Sequence, residues 1–290
     1  MTDESAAARK TRVALLFGGR SGEHAISCAT AASVLTALDR RRYEVLPIGI
    51  TRSGQWVLMP DDPGPLQLDG DVLPEVPEAA GELTLPMGDQ RREVLVTYPD
   101  RMPEALGEVD VVFPLLHGPF GEDGTLQGLL ELAQIPYVGS GVLSSAVAMD
   151  KHYMKVVLAG HGLPVGPYTV IHPHQWRTDK AAALDAARSL GSPLFVKPAR
   201  AGSSLGITKV TDVADLEGAI IAAQEHDPKV VIESQVVGRE IECGVLGAPG
   251  GTVRTSLPGE IKLSDGEFYD FAAKYFDTSG VELSCPADLS

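Results

Sequence analysis

Between Arg12 and Ile50 the chain reads as strand, glycine turn, helix, strand, an order that leaves few ways to fold. Arg12 to Phe17 (RVALLF) is a short aliphatic run ending in Gly18-Gly19, Ala25 to Leu38 is an alanine-rich helical pattern, and Tyr43 to Ile50 (YEVLPIGI) is again strand-like. A helix between two strands returns the chain to the same end of a sheet, so the strands run parallel. Val109 to Leu116 (VDVVFPLL) resumes the buried-strand pattern, and Gly124 to Ala133 continues as a helix with Leu126, Leu129, Leu130 and Ala133 on one face. The stretch between, Pro60 to Gly88, is rich in Pro, Gly and acids and reads as a surface insertion with one or two edge strands.

Past this front the texture changes. Ser144 to Ala159 reads as one amphipathic helix closed by Gly160 and Gly162, and Ala181 to Leu190 as another closed by Gly191. Leu194–Lys197 and Ile207–Val210 are expected strands flanking a Gly/Ser loop, followed by a helix over Asp212–Gln224 and a strand over Lys229–Glu233. Glu240–Leu246, Val253–Leu257 and Glu260–Leu263 look like a meander, with a turn at Ser264-Asp265-Gly266. A parallel α/β front and an α+β back imply two or three subdomains.

Charge narrows the function. The 24 Lys+Arg stand against 39 Asp+Glu, a formal net charge of −15. A field of that sign repels phosphate backbones and anionic lipid, which argues against nucleic-acid or membrane partners. An anionic small substrate then needs a locally basic pocket. Cys28, Cys243 and Cys285 lack CxxC or His spacing, which argues against a disulfide framework or zinc site and for a reducing compartment. Without an apolar leader or membrane-length run, the expected location is cytoplasmic.

Three loops could carry chemistry. Gly18-Gly19-Arg20-Ser21-Gly22-Glu23-His24 joins a strand to a helix at the carboxyl edge of the sheet, either a tight turn or a seat for an anion or zwitterion. Glu23, at the start of the helix, suits capping taken alone, and could also hold an ammonium. His117 to Gly124 (HGPFGEDG) ends the next strand at the same edge, with His117 and Glu122 as potential ligands or as parts of a structural loop. In Phe195 to Gly206 (FVKPARAGSSLG), Lys197 ends an apolar strand, Arg200 follows, and a Gly-Ser-Ser-x-Gly run precedes a second strand. Glycines admit backbone N–H groups, serines donate and the lysine supplies charge, which makes this a candidate phosphate cradle. Glu233 and Glu240 are acids that could reach ribose or stay solvated. Lys274-Tyr275, alone, read as a solvated charge beside a packed aromatic.

Together these segments resemble the D-alanine–D-alanine ligases of the ATP-grasp superfamily. The stretches that carry the resemblance are FGGRSGEHAIS, LHGPFGEDGTLQG, YVGSGVLSSAVAMDK, VKPARAGSSLG, VIESQVVGREIECGVLG and FYDFAAKY, from residue 12 to about 288. The resemblance implies an α/β ATP-grasp fold. Residues 1–138 would form the N-terminal parallel pre-ATP-grasp domain and 139–233 the central ATP-lid α+β subdomain with its phosphate loop. Residues 234–290 would be the start of a truncated C-terminal ATP-grasp subdomain. It implies an ATP-dependent ligase that makes a D-alanine dipeptide through an acyl phosphate, for peptidoglycan synthesis, cell-wall biogenesis and cell shape. Its cofactors would be ATP with Mg2+ or Mn2+, and its form a homodimer.

Carried over residue by residue, the resemblance gives catalytic roles to Glu23, Ser203 and Tyr275. Glu23 would hold the first substrate's ammonium, and His117 would lie near its carboxylate. Lys151, Lys197, Ser203, Ser204 and Lys274 would meet the phosphates, Glu233 and the backbone of Val236 the adenine, and Glu240 the ribose. Tyr275 at the lid favours an amine as second substrate. In the family the chain continues by roughly a quarter of its length, and the arginine and metal-binding residues lie there. No metal ligand is therefore expected within these residues, and the chain alone is expected to be inactive. The alternatives are a D-alanine–D-lactate or D-serine type ATP-grasp ligase, or a non-catalytic nucleotide-binding fragment.

Overall fold

Strand β1 (Thr11–Gly18) lies parallel to β2 (Tyr43–Ile50) in register from Thr11↔Tyr43 to Gly18↔Ile50, with α1 (His24–Ala37) as the crossover. The structure is a computed structural model describing residues 9–68, 72–84, 93–247, 250–263 and 280–289. The chain separates into two compact units, residues 1–157 and 158–290.

In the first unit, β3 (Trp56–Leu58) pairs antiparallel to β2. Strands β4 (Glu82–Thr84), β5 (Glu93–Tyr98) and β6 (Arg101–Glu108) form a separate antiparallel sheet, and β7 (Val111–Pro114) joins β1 in parallel. The main sheet therefore has the order β3-β2-β1-β7, and the loops after β1 and β7 leave at one edge. Helix α1 packs close because the face it buries is largely small: Ala25, Ser27, Cys28, Ala31 and Ala32 are all buried. Leu15 and Phe17 meet it from the sheet. Burial pushes the Cys28 thiol up to about 12, so it stays protonated and acts as a small apolar side chain.

The Pro60–Gly88 stretch departs from a surface insertion. Leu66 and Val76 are buried in the cluster with Leu15, Phe17 and Leu35, while Leu83 joins the core on the other face of the sheet. Apolar residues scattered through a polar, proline-rich run carry no periodicity, so no local pattern marks which of them turn inward.

After β7, α2 (Thr125–Leu132) follows as expected. The helix expected over Ser144–Ala159 is instead two, α3 (Val142–Met149) and α4 (Lys151–Gly160). Asp150 breaks them apart. Its backbone is extended (φ −90°, ψ 104°), and its Oδ1 accepts from His152 N at 3.1 Å and Tyr153 N at 3.3 Å, capping the second helix. The boundary between the two units falls within α4.

The second unit contains β8 (Tyr168–Ile171), α5 (Pro173–Thr178), α6 (Lys180–Arg188), β9 (Leu194–Pro198), β10 (Thr208–Val210), α7 (Leu216–Gln224) and β11 (Val230–Ser234). Its antiparallel sheet has the order β10-β9-β11-β8. Leu194, Val196, Val210, Val230 and Ile232 pack against Ala183, Leu184, Leu216 and Ile220 of α6 and α7. The expected meander is a different topology. Strands β12 (Glu240–Glu242), β15 (Gly259–Leu263) and β16 (Val281–Ser284) form one sheet, and β13 (Val245–Leu246) pairs with β14 (Arg254–Thr255) as an intervening hairpin. The turn expected at Ser264–Gly266 lies outside the described residues. Among the described residues no helix is long and apolar enough to cross a membrane.

Candidate functional site

The first unit gathers two of the three loops at one sheet edge, held by hydroxyls. Ser27 Oγ takes the Gly18 N–H at 2.8 Å and donates to Leu115 O at 2.6 Å, joining the ends of β1 and β7. Ser21 Oγ donates to His117 O at 2.7 Å and accepts from Glu23 N at 3.2 Å. Thr30 Oγ1 donates its single proton to Ile26 O at 2.9 Å, so at the 3.1 Å contact with His117 Nε2 the ring nitrogen is the donor. That leaves His117 Nδ1 as the ring atom available to a ligand.

Glu23 occupies the N-cap position of α1, yet its side chain makes no capping hydrogen bond, which overturns the capping role. The carboxylate is buried at 2% exposure and lies against Gly118. A methyl group on Gly118 would come within 2.2 Å of Glu23 Oε2, and the backbone there has φ +73°. Gly118→Ala is therefore expected to cost about 1–2 kcal/mol in backbone strain alone and to displace Glu23. A lowered thermal midpoint would show the strain, and an unchanged one would contradict it.

Glu122, a possible ligand by sequence, folds back on its own loop, accepting from Gly118 N at 2.7 Å. Asp123 accepts from Phe120 N at 2.9 Å and Thr125 N at 3.0 Å. Two cavities of about 300 and 340 Å³ open beside this loop and share Leu116 and Gly121 in their walls. Gln127 donates to Gly121 O at 2.9 Å and leaves Oε1 as a buried acceptor without a partner, in the wall of the larger one.

His24 ties the first loop down. Its Nδ1 donates to Gly19 O at 2.7 Å and its Nε2 accepts from Val76 N at 3.0 Å, so the ring is neutral with its proton on Nδ1. Burial lowers its pKa from the ordinary 6.5, outweighing the bond to Gly19. The unfolded state then binds more protons below pH 6.5. This histidine's contribution is intact above that pH and is lost as pH falls toward its folded value. The urea midpoint of the protein is expected to fall between about pH 7.5 and 5.5 more steeply than that of His24→Gln; equal slopes would contradict the assignment.

In the second unit, strand alternation builds a different surface. The register pairs Phe195 with Lys209 and with Glu233, and Lys197 with Val231. These residues lie on the sheet face opposite α6 and α7. Lys197 Nζ donates to Glu233 Oε2 at 2.5 Å, and both side chains are largely buried, at 21% and 16% exposure. The ammonium groups of Lys197 and Lys209 lie 5.7 and 5.9 Å from the Phe195 ring centroid. Beyond β9, Ser203 and Ser204 both take left-handed backbone angles (φ +47° and +58°), closing the loop with Leu205 N on Gly202 O at 2.9 Å. A cationic, aromatic strand face with a glycine-serine loop at its end has the parts a nucleotide requires: charge for phosphate, backbone N–H groups, and a ring beside the base.

The sequence-expected residues thus fall into two sets. Glu23 and His117 come together at the first sheet edge, and Lys197 and Glu233 form a pair across β9 and β11, with β9 running into the loop of Ser203 and Ser204. Lys151 opens α4, Val236 is exposed, and Glu240 opens β12, also exposed. Lys274 and Tyr275 lie outside the described residues. Sequence reading misses Thr30, Ser21 and Ser27, whose hydroxyls look like ordinary helix and turn residues until the loops they join are in place. It also misses Asp227, which holds Arg200. Among the described residues no three His, Cys, Asp or Glu side chains group as a metal site.

Both halves of the chain match known protein families. Residues 12–140 match the family described as D-ala D-ala ligase N-terminus, and residues 157–290 the one described as D-ala D-ala ligase C-terminus. A D-alanine–D-alanine ligase of Arthrobacter sp. (strain FB24) is 57% identical over 283 residues, covering 97% of this chain and 74% of that protein. The enzyme of that name from Mycobacterium avium is 51% identical, covering 98% and 77%. Among solved structures, the VanG D-Ala:D-Ser ligase of Enterococcus faecalis superposes with a TM-score of 0.77 at 34% identity, covering 97% of this chain and 78% of that one. D-alanyl-alanine synthetase A of Vibrio cholerae gives 0.74 at 29%, covering 97% and 76%. With both halves matched in order and more than half of the residues shared with the Arthrobacter enzyme, the chain belongs to the D-alanine–D-alanine ligase family, an ATP-grasp family of ligases.

Proposed function

We propose that this protein joins two D-alanine molecules at the expense of ATP. The observation that carries the reading is the 57% identity with a D-alanine–D-alanine ligase along 97% of the chain. The 55% identity of a second ligase of that name, from Paenarthrobacter aurescens, agrees with it. In the proposed reaction the carboxylate of the first D-alanine takes the γ-phosphoryl group and ADP leaves. The amine of the second then attacks the acyl phosphate carbonyl and phosphate departs.

The chain's own residues would bind, orient and exclude water. Glu23, buried beside Gly118, would take the ammonium of the first substrate. His117, held by Thr30 through Nε2, would face that substrate through Nδ1. Lys197 would turn from Glu233 to phosphate oxygens, and Glu233 would then accept from the adenine amino group. Ser203 and Ser204 would close over the phosphates, keeping water from the acyl phosphate. Val236 would offer its backbone to adenine and Glu240 its carboxylate to ribose, with Lys151 and Lys274 on the phosphates and Tyr275 at the lid. Mg2+ or Mn2+ would accompany ATP, but the described residues supply no ligand set for it, so no step is assigned to the metal. The protein would act as a cytoplasmic homodimer.

A phosphate-release assay on a chain extended to the length of the Arthrobacter enzyme, of which these residues cover 74%, tests the reading. Release dependent on both ATP and D-alanine is expected, with slower release when D-lactate or D-serine competes as second substrate. Faster turnover with D-serine would favour the activity named for the VanG structure, which shares the fold at 34% identity.

A further inference from the structure

The loop that carries Ser203 and Ser204 begins at Arg200 and ends at Gly206, and both ends meet the same short turn. At the entry, Asp227 is 2% exposed and receives four donors. Its Oδ2 accepts from Arg200 N and Nε, each at 2.8 Å; its Oδ1 accepts from Arg200 Nη2 at 2.9 Å and Lys229 N at 3.0 Å. The fork-to-fork geometry fixes orientation as well as distance. One residue earlier, Ala199 N donates to Lys229 O at 2.9 Å, so β9 is tied to β11 up to the point where the loop departs. At the exit, Gly206 has φ +69° and its Cα lies close against the imidazole of His226. A methyl group there would fall 2.4 Å from His226 Cδ2 and 2.9 Å from Pro198 Cγ.

We propose that the His226-Asp227 turn between α7 and β11 is the seat of the phosphate loop. Asp227 clamps the loop's entry through Arg200, and His226 supports its exit beneath Gly206, so that motion is confined to residues 201–205. Asp227 is thus a positioning residue, acting on the nucleotide through the loop. The inference rests on reading residues 200–206 as the lid over ATP. Burial would raise the Asp227 pKa, yet the guanidinium and amides hold it below the ordinary carboxylate range, so the clamp is charged at neutral pH. A loop pinned at both ends explores fewer open states, which lowers the entropic cost of closing on a phosphate.

Asp227→Asn and Arg200→Lys each break the fork, the first by removing charge, the second by removing its planar geometry. Hydrogen exchange of the nucleotide-free protein is expected to speed up about 10-fold in peptides spanning 199–207, with the strands of the first unit unchanged. In steady state, KM for ATP is expected to rise about 10-fold while KM for D-alanine stays constant. ADP released per dipeptide should also exceed one, as water reaches the acyl phosphate. Two results would overturn the clamp: exchange accelerated evenly across the second unit, or an unchanged KM for ATP with only kcat reduced. If a chain extended to the length of the Arthrobacter enzyme, of which these residues cover 74%, makes no dipeptide, the ligase reading fails separately, and the exchange pattern still decides the clamp.

Discussion

Lys197→Met is expected to weaken nucleotide binding by about 100-fold, equivalent to about 2.7 kcal/mol, the scale of removing a charge-assisted hydrogen bond from a largely buried site. Lys197 and Glu233 neutralise one another across 2.5 Å at low exposure. Removing one partner has two consequences: it takes away the cation proposed for phosphate, and it removes a compensating charge from a largely buried carboxylate. The first is a binding effect and the second a stability effect, and a double variant separates them. Lys197→Met with Glu233→Gln should recover much of the lost thermal stability, because the carboxylate that lost its cation is made neutral too, without recovering affinity. Calorimetric titration with ATP alongside thermal melts reads both quantities. If the double variant regains affinity, Lys197 is a structural partner of Glu233 and not a nucleotide ligand.

Ser204→Val is expected to lower kcat/KM by at least about 100-fold, since displacement by about an ångström at a positioned site costs that much. Ser203 and Ser204 hold consecutive left-handed conformations, which cost ordinary residues about 1–2 kcal/mol each and β-branched residues more. A valine at 204 would drive the turn into another shape. Because the loop lies outside the hydrophobic clusters, the melting midpoint should move little. Ser204→Gly makes the matching control. It fits the backbone angle and removes only the hydroxyl, so its loss should be about tenfold or less, the worth of one net hydrogen bond. Equal losses in the two variants would place the effect in the hydroxyl and exclude backbone shape as its cause.

How much of this is legible in the sequence differs by region. The parallel β1-α1-β2 unit is readable because its local signals agree: aliphatic runs of strand length, a double glycine, and a helix of small residues. The edge location of the His117 loop follows from the next apolar run. Hidden from the sequence is everything decided by tertiary contacts. The break at Asp150 depends on a single aspartate capping a helix instead of sitting within one, and the apolar flanks on either side read as continuous. The buried positions of Leu66 and Val76 follow from the gap beside α1, not from any pattern of their own. The β12-β15-β16 sheet skips a hairpin whose two-residue strands read as part of a continuing meander.

The site shows the same division. Lys197 and the Gly-Ser run are recognisable because strand, lysine and loop are adjacent in sequence. The Lys197–Glu233 pair joins residues 36 positions apart. Strand alternation places both on one face, but only once β9 and β11 are known to be neighbours. Asp227 carries no signal at all, since an acid in a helix-to-strand turn is ordinary until a guanidinium is seen resting on it. Glu23 stands out as a carboxylate at a helix start, but local logic gives it a capping task that the folded chain does not use.

The identity of the product is the most direct test. A chain extended to the length of the Arthrobacter enzyme, of which these residues cover 74%, can be incubated with ATP, D-alanine and equal concentrations of D-serine and D-lactate and analysed by mass spectrometry for all three condensation products, with ADP measured in parallel. D-alanyl-D-alanine is expected in excess over the mixed dipeptide and the ester, with ADP and condensed product formed in equal amounts. A dominant D-alanyl-D-serine or D-alanyl-D-lactate peak, or ADP without any condensed product, would contradict it.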